Sequence, residues 1–195
     1  MAATLVKRRF SVDEYHRMGQ VGILPERERV ELIDGEVVAM TPIGARHGAC
    51  VASATRALVK AAGDDAIVQP QGATQLNLFS EPQPDIMLLR PRDDFYAAHH
   101  PGPADVLLIV EIADSSLDYD RDVKARLYAA AGVPEYWLAD LTANVVWRSS
   151  SPDRGPDRGS YRHVEPCHRG QAIAPQMLPS CLVAADVFLV EPRDK

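Results

Sequence analysis

The run VLLIVEI, residues 106–112, decides the fold of this chain of 195 residues. Six of its seven residues are apolar, which is typical of a strand buried on both faces of a sheet. A second apolar run, IMLL at residues 86–89, predicts a neighbouring strand. Because such strands need other elements packed above and below them, the sequence predicts an α/β domain.

The segment before these strands predicts a helix and a hairpin. Ser11 and Glu14 have the spacing of a capping box, which begins a helix through about Met18. Asp34-Gly35 separates two apolar-rich runs within residues 30–40, and this dipeptide is typical of a type I′ hairpin turn. In that register Glu31 lies on the face of the hairpin that carries both polar and apolar residues.

Helical spacing of apolar residues returns in two later segments, from His47 to Ala62 and over residues 121–131. Shorter strands are predicted near residues 66–71, 74–78, 135–139 and 144–148, and the segment 183–190 can be a strand or a helix. We therefore expect a mixed central sheet flanked by helices, with an N-terminal β-hairpin.

Composition limits the class of protein. With 46% hydrophobic and 25% charged residues, the chain has the balance of a globular protein, and residues 1–195 are predicted to form one domain. Residues 149–160 repeat Pro-Asp-Arg-Gly among serines, which predicts a flexible loop within this domain.

No apolar run is long enough to span a membrane, and the start lacks the pattern of a secretory signal. Three widely spaced cysteines indicate free thiols in a reducing compartment, so we expect a cytoplasmic protein.

The informative polar residues are acids next to the core strands. Asp85 begins one apolar run, Glu111 lies inside another, and Glu31 sits in the hairpin. An unpaired buried carboxylate costs several kcal/mol or is forced to protonate, so a cation, a partner side chain or an opening to water must compensate these acids. Lys124, early in the predicted helix after Glu111, is the candidate. The residues alone leave two interpretations open: a buried salt bridge that only fixes packing, or a site for a hard cation such as Mg²⁺.

The order and spacing of these residues resemble the Uma-two family, within the PD-(D/E)XK nuclease superfamily and its restriction-endonuclease-like fold. The resemblance covers nearly the whole chain and rests on six segments: ELIDGE (31–36), the Pro42 to His47 helix start, PDI (84–86), VEIADSS (110–116), Asp120 to Tyr128, and GVPEYWLAD (132–140). The superfamily pattern places a lysine two residues after the glutamate, where this chain has Ala113. Lys124 is therefore the matching lysine.

The resemblance implies a metal-dependent endonuclease, a hydrolase of phosphodiester bonds in DNA. It implies that Asp85, Glu111 and the main-chain carbonyl of Ile112 hold Mg²⁺, for which Mn²⁺ can substitute. Lys124 and Glu31 would assist as further catalytic residues. The alternative is a catalytically idle relative that binds DNA or protein and keeps the acids as structure.

Other features receive weaker functional interpretations. His47 is either a packing histidine or an accessory residue kept neutral at a helix start, and Tyr128 packs in the core or borders the site. His99-His100 is interpreted as a surface pair rather than a set of zinc ligands. Asp118-x-Asp120-x-Asp122 lacks the later glycine and glutamate of a calcium loop, so Asp120 is expected to cap the helix instead.

The charge argues against the DNA partner. The net charge is −6, whereas proteins that coat nucleic acid need a clustered basic surface. The richest set of arginines lies around residues 148–169 and is partly neutralised by nearby acids. A homodimer that lines one DNA channel with arginines from both copies is a further hypothesis.

Overall fold

The computed structural model describes residues 7–25, 27–153 and 159–192. It begins with helix α1 (Val12–Gln20), and Ser11 and Glu14 form the predicted capping box. Strands β1 (Val30–Ile33) and β2 (Glu36–Ala39) form the predicted antiparallel hairpin. Asp34 and Gly35 have φ values of 49° and 79°, as a type I′ turn requires.

Gly35 is required for space as well as for its backbone conformation. A Cβ at this position would lie 2.5 Å from Cβ of Arg9. We expect Gly35→Ala to lower the free energy of unfolding by about 2 kcal/mol, measured by urea denaturation. Gly19→Ala is the control, because Gly19 lies in α1 with open space around it and should gain up to about 1 kcal/mol. Equal effects of the two substitutions would contradict the steric explanation.

The centre of the molecule is a six-stranded mixed sheet in the order β3-β4-β5-β6-β7-β8. Only the pair β5–β6 is parallel, and the other neighbours are antiparallel. The strands are β3 (Ile67–Pro70), β4 (Ile86–Leu89), β5 (Val106–Ala113), β6 (Glu135–Asp140), β7 (Val145–Asp153) and β8 (Ser160–His168). All eight residues of β5 are buried, so the central strand is as the apolar run predicts.

Each face of the sheet has its own apolar core. On one face, helix α2 (Ala45–Ala62) and a 3₁₀ turn (Ala185–Phe188) cover alternate residues of β4 and β5. On the other face, side chains that include Ile109 and Ala113 of β5 pack with Ile33 of the hairpin and with Leu127 and Tyr128. Because neighbouring strand residues point to opposite faces, Glu111 lies on this second face.

The helical segment after β5 is interrupted by a wide turn. It consists of α3 (Leu117–Tyr119), a π-helical turn (Asp120–Lys124) and α4 (Ala125–Ala131). A π turn adds one residue to the helix and therefore changes which side chains face the sheet. Lys124 and Asp120 are buried, whereas Val123, which the helical pattern places in the apolar stripe, is exposed.

Two sequence predictions need correction, and the structure decides a third segment that the sequence left open. Residues 74–78 form no strand but contribute only an isolated bridge between Asn77 and Ser80. Within the predicted flexible loop 149–160, residues 149–153 belong to β7 and Ser160 to β8, whereas residues 154–158 lie outside the described ranges. The segment 183–190 contains the two-residue strand β10 (Val183–Ala184), which pairs with β9 (Ala172–Ile173), and then the 3₁₀ turn. Pairing with a neighbouring strand, which composition does not report, decides these cases.

The three cysteines are free, as predicted, and all three are buried. Across the residues that the structure describes, no helix has the length and apolarity needed to cross a membrane.

Candidate active site

Asp85 and Glu111 meet where β4 and β5 pair. Asp85 immediately precedes β4, and its backbone N–H donates to Oε2 of Glu111 at 3.2 Å. In the other direction, the backbone N–H of Ile112 donates to Oδ2 of Asp85 at 2.8 Å. These reciprocal hydrogen bonds fix both carboxylates on neighbouring strands at one end of the sheet.

Lys124 places its ammonium group among the buried acids. Its Nζ lies 3.1 Å from Oε1 of Glu111, 3.2 Å from Oε2 of Glu31 and 4.0 Å from Oδ1 of Asp120. All four side chains are at least nine-tenths buried. The compensating cation predicted from the sequence is therefore Lys124, and the structure adds Asp120 to the acids around it.

Burial and charge change the acidity of this cluster. Burial raises the pKa of Glu111 to about 8 and that of Asp120 to about 6, and Lys124 lowers both without cancelling the effect. Burial opposes the charge of Lys124, but Glu111, Glu31 and Asp120 outweigh it, so the pKa of Lys124 is raised. The raised pKa favours the charged ammonium form of Lys124 at neutral pH.

Tyr128 and His47 each bind one of the two strand carboxylates. The buried Tyr128 hydroxyl donates to Oε1 of Glu111 at 2.7 Å, and burial raises the pKa of this tyrosine, which keeps it a donor. His47, in the first turn of α2, lies with Nε2 3.0 Å from Oδ2 of Asp85. That hydrogen bond raises the pKa of His47, which opposes the neutral imidazole expected at a helix start.

Glu31 reaches the cluster from the hairpin. Its Oε2 also accepts a hydrogen bond from the backbone N–H of Gln83 at 3.2 Å, and the Gln83 side chain donates to the Val30 carbonyl. The hairpin is thereby tied to the segment that leads into Asp85. Since Glu31 pairs with Lys124, it is placed to hold the ammonium in position.

Asp120 is a site residue that the sequence analysis misassigned as a helix cap. The helical segment begins earlier, at Leu117, so Asp120 is internal; its Oδ2 accepts a hydrogen bond from the Ser116 hydroxyl at 2.5 Å. Its backbone carbonyl accepts from the N–H of Ala125, the bond that closes the π turn. The four-residue spacing from Asp120 to Lys124 is the sequence signal that could have indicated a shared face.

These side chains surround a cleft of about 480 Å³. Its ionisable lining is mainly acidic, with five carboxylates against two basic side chains and one histidine: Glu31, Asp85, Glu111, Asp114, Asp120, Arg29, Lys124 and His47. Ile112 also lines the cleft. A cleft with this charge repels a phosphate group unless a cation is added.

The donor chemistry fits a hard divalent cation. No described residue donates a hydrogen bond to Oδ1 of Asp85, and Oε2 of Glu111 accepts only one. In the described ranges, Asp85 and Glu111 do not form a metal-binding group with a third His, Cys, Asp or Glu, if all donor atoms of the group must lie within 4.8 Å of one another. Proteins usually bind Mg²⁺ through one or two carboxylates, and water and substrate oxygens complete its coordination shell.

The structure thus brings together all four residues predicted to be catalytic, Glu31, Asp85, Glu111 and Lys124, with His47 and Tyr128 beside them. Ile112 contacts Asp85 through its N–H, and the proposed use of its carbonyl as a ligand stays a prediction. His99 and His100 are exposed in a loop and do not line this cleft.

A mixed sheet with two strand carboxylates and a lysine at an open cleft defines a restriction-endonuclease-like class of protein. The sequence matches the Uma2 family, described as "Putative restriction endonuclease", over residues 12–186, and the chain belongs to this family. A solved structure described as a putative nuclease belonging to DUF820 from Anabaena variabilis ATCC 29413 has the same fold. Its TM-score is 0.68 at 16% identity, and the match covers 92% of this chain and 97% of the other. A comparison with curated protein sequences gave no match.

Proposed function

We propose that this chain is a Mg²⁺-dependent endonuclease that hydrolyses phosphodiester bonds in DNA, with Mn²⁺ as an alternative ion. The observation that carries the proposal is the convergence of Asp85, Glu111 and Lys124, from three separate elements, on one open cleft. The family match and the solved neighbour support a nuclease; the metal, the substrate and the residue roles are our inference.

The charge of the cleft supports the requirement for a metal. Lys124 is the only cation next to Glu111 among the described residues, and Glu31 and Asp120 already compete for it. A phosphodiester that enters this cleft meets excess negative charge, since like charges repel strongly where water is excluded. Asp85 and Glu111 together can hold the divalent cation that reverses this sign.

The residues of the chain divide the chemistry among them. When bound, Mg²⁺ supplies Lewis acidity to the phosphate and to an attacking water. The Lys124 ammonium donates one N–H to Glu111 and directs a second towards Glu31. Its third N–H is then free to stabilise negative charge on a phosphoryl oxygen. Tyr128 holds Glu111 in place as a positioning residue, and Glu31 does the same for Lys124.

His47 is suited to donate a proton during the reaction. It lines the cleft and hydrogen-bonds to Asp85, and its raised pKa favours the charged imidazolium. An imidazolium at this position can orient the Asp85 carboxylate and donate a proton to a leaving oxygen. A neutral general base is less consistent with the same contact.

The second candidate is the idle relative that only binds DNA or protein. The observation that favours it is charge: Lys124 is shared by three carboxylates, and the whole chain carries −6. In that case the cluster is a buried ion network that fixes the hairpin, the sheet and the π turn together. The predicted homodimer would matter for either candidate, because it would bring arginines of two copies to one DNA.

A plasmid assay with a calorimetric titration separates the two candidates. We expect the purified chain to nick or linearise supercoiled DNA with Mg²⁺ or Mn²⁺ and to lose this activity in EDTA. Calorimetry with Mn²⁺ should show saturable binding in the absence of DNA. Absence of both cleavage and Mn²⁺ binding would reject the enzyme, and DNA retention in a gel-shift assay under those conditions would then support the idle relative.

A further inference from the structure

A second group of metal-binding side chains lies away from the acidic cleft. His16 of α1, Glu81 of the segment before β4, and His100 of the loop between β4 and β5 offer donor atoms that all lie within 4.8 Å of one another. They are the only such set of three His, Cys, Asp or Glu residues in the described ranges. None of the three lines the cleft that holds Asp85 and Glu111.

Glu81 is the buried member of this group and lacks part of its hydrogen bonding. Its side chain is 4% exposed, and Oε1 lies 2.7 Å from Nε2 of His16. The other oxygen, Oε2, is buried with no hydrogen-bond partner among the described residues. An unsatisfied buried carboxylate oxygen is costly, so this oxygen indicates a missing positive or hydrogen-bonding group.

The two histidines close the group from the solvent side. The His16 side chain is 41% exposed, His100 is exposed, and their ring centroids are 6.1 Å apart. A metal between them can be reached from water and keeps one coordination position open. His100 lies at the surface, as predicted, and the fold brings His16 and Glu81 next to it, which no local pattern in the sequence indicates.

We propose that His16, Glu81 and His100 bind Zn²⁺ at a site separate from the proposed nuclease centre. Two imidazole nitrogens and one carboxylate oxygen are a zinc donor set, whereas Mg²⁺ prefers oxygen alone. Tetrahedral ligands at about 2.0–2.1 Å from zinc lie about 3.3 Å from one another. The donor atoms lie within 4.8 Å of one another, so binding needs a closure of up to about 1.5 Å, which the exposed loop residue His100 can supply. Nε2 of His16 and Oε1 of Glu81, now 2.7 Å apart, must separate by about 0.6 Å.

The position of Glu81 gives this metal a structural consequence. The backbone N–H of Glu81 donates to the Leu32 carbonyl at 2.8 Å, and Leu32 follows Glu31 in the hairpin. Zinc on Glu81 would join α1 and the His100 loop to the segment that holds the hairpin. The ion thus stabilises the support of Glu31 without entering the cleft.

Zinc binding to the tag-free, metal-stripped full chain tests the proposal, measured by calorimetry with excess Mg²⁺ present. We expect one Zn²⁺ per chain, and His100→Ala should lower the affinity at least tenfold. His99→Ala is the matched control, since His99 is the exposed neighbour of His100 and is outside the group. It should bind Zn²⁺ like the wild type. Asp85→Asn should also keep the zinc site, so its loss of Mn²⁺ binding reports on the nuclease centre alone.

Thermal unfolding provides a second readout on the same variants. Zn²⁺ should raise the melting temperature of the wild type and of His99→Ala but not of His100→Ala, because a ligand that binds only the folded state stabilises it. His100 is exposed, so its removal should not prevent folding. The proposal is overturned if the wild type binds no Zn²⁺, if His100→Ala binds it as tightly, or if Asp85→Asn abolishes it.

Discussion

Asp85→Asn is expected to lower metal-dependent DNA cleavage by about a thousandfold, because several kcal/mol of transition-state stabilisation depend on the cation that Asp85 holds. Asparagine keeps an oxygen that can accept the hydrogen bond from the N–H of Ile112, so the strand pairing should persist. The substitution also removes one negative charge from a crowded acidic cluster. Stability should therefore stay within about 1 kcal/mol of the wild type. Plasmid cleavage rates, Mn²⁺ calorimetry and urea denaturation measure the three quantities.

Asp118→Asn is the matched control for this variant. Asp118 undergoes the same loss of one charge, but it pairs with Arg121 on the surface and does not line the cleft. It should cleave DNA at the wild-type rate. Wild-type cleavage by purified Asp85→Asn would show that the nuclease activity does not use this carboxylate, or that it comes from a contaminant.

The second large effect is expected on stability, from Lys124→Met. Removing the ammonium leaves Glu31, Glu111 and Asp120 buried without their shared cation, and breaking a buried ion pair on one side costs about 3–5 kcal/mol.

The loss of stability in Lys124→Met should depend on pH. Burial already raises the pKa of Glu111 to about 8 in the folded chain, above its ordinary value near 4.5. A carboxyl with a raised folded pKa stabilises the folded state while protonated, and this contribution is lost as pH rises from about 4.5 through 8.

We therefore expect the difference in unfolding free energy between the wild type and Lys124→Met to be small at pH 5. It should grow as pH rises above about 6 and again above about 8, because Asp120 and Glu111 ionise there beside Lys124 in the wild type, whereas their pKa values are higher still without it. Adding Glu111→Gln to Lys124→Met should recover part of the loss, since it removes one of the stranded charges. Lys60→Met, at an exposed position of α2, is the control and should change stability by less than about 0.5 kcal/mol. A pH-independent loss in Lys124→Met would mean that side-chain packing, not charge, is what Lys124 contributes.

Local sequence was sufficient for much of this fold. The continuous apolar run of β5 predicted a strand buried on both faces, and Asp34-Gly35 predicted the hairpin with its turn type. The capping box at Ser11 also forms as expected. Each of these signals lies within a few neighbouring residues, and the local interactions that produce it are also present in the folded chain.

Local sequence was insufficient where a neighbour in space decides the conformation. Residues 149–153 are three serines, a proline and an aspartate, a composition typical of a loop, yet they form a strand because β8 pairs with them. The π turn reverses the expected exposure of Val123 and turns Asp120 inwards. Nothing in the local apolar pattern reports the extra residue in that turn, since the turn is a property of the packed helix.

By itself, the sequence determined that the acids near the core strands need compensation, and it offered Lys124 as the candidate cation. The tertiary structure decided how they meet: Asp85 and Glu111 exchange backbone and carboxylate hydrogen bonds, Asp120 joins them, and His16, Glu81 and His100 assemble elsewhere. The reason is physical. The cost of a buried charge can be inferred from one residue and its neighbours, whereas a constellation of side chains exists only after sheet pairing brings distant segments within hydrogen-bonding distance.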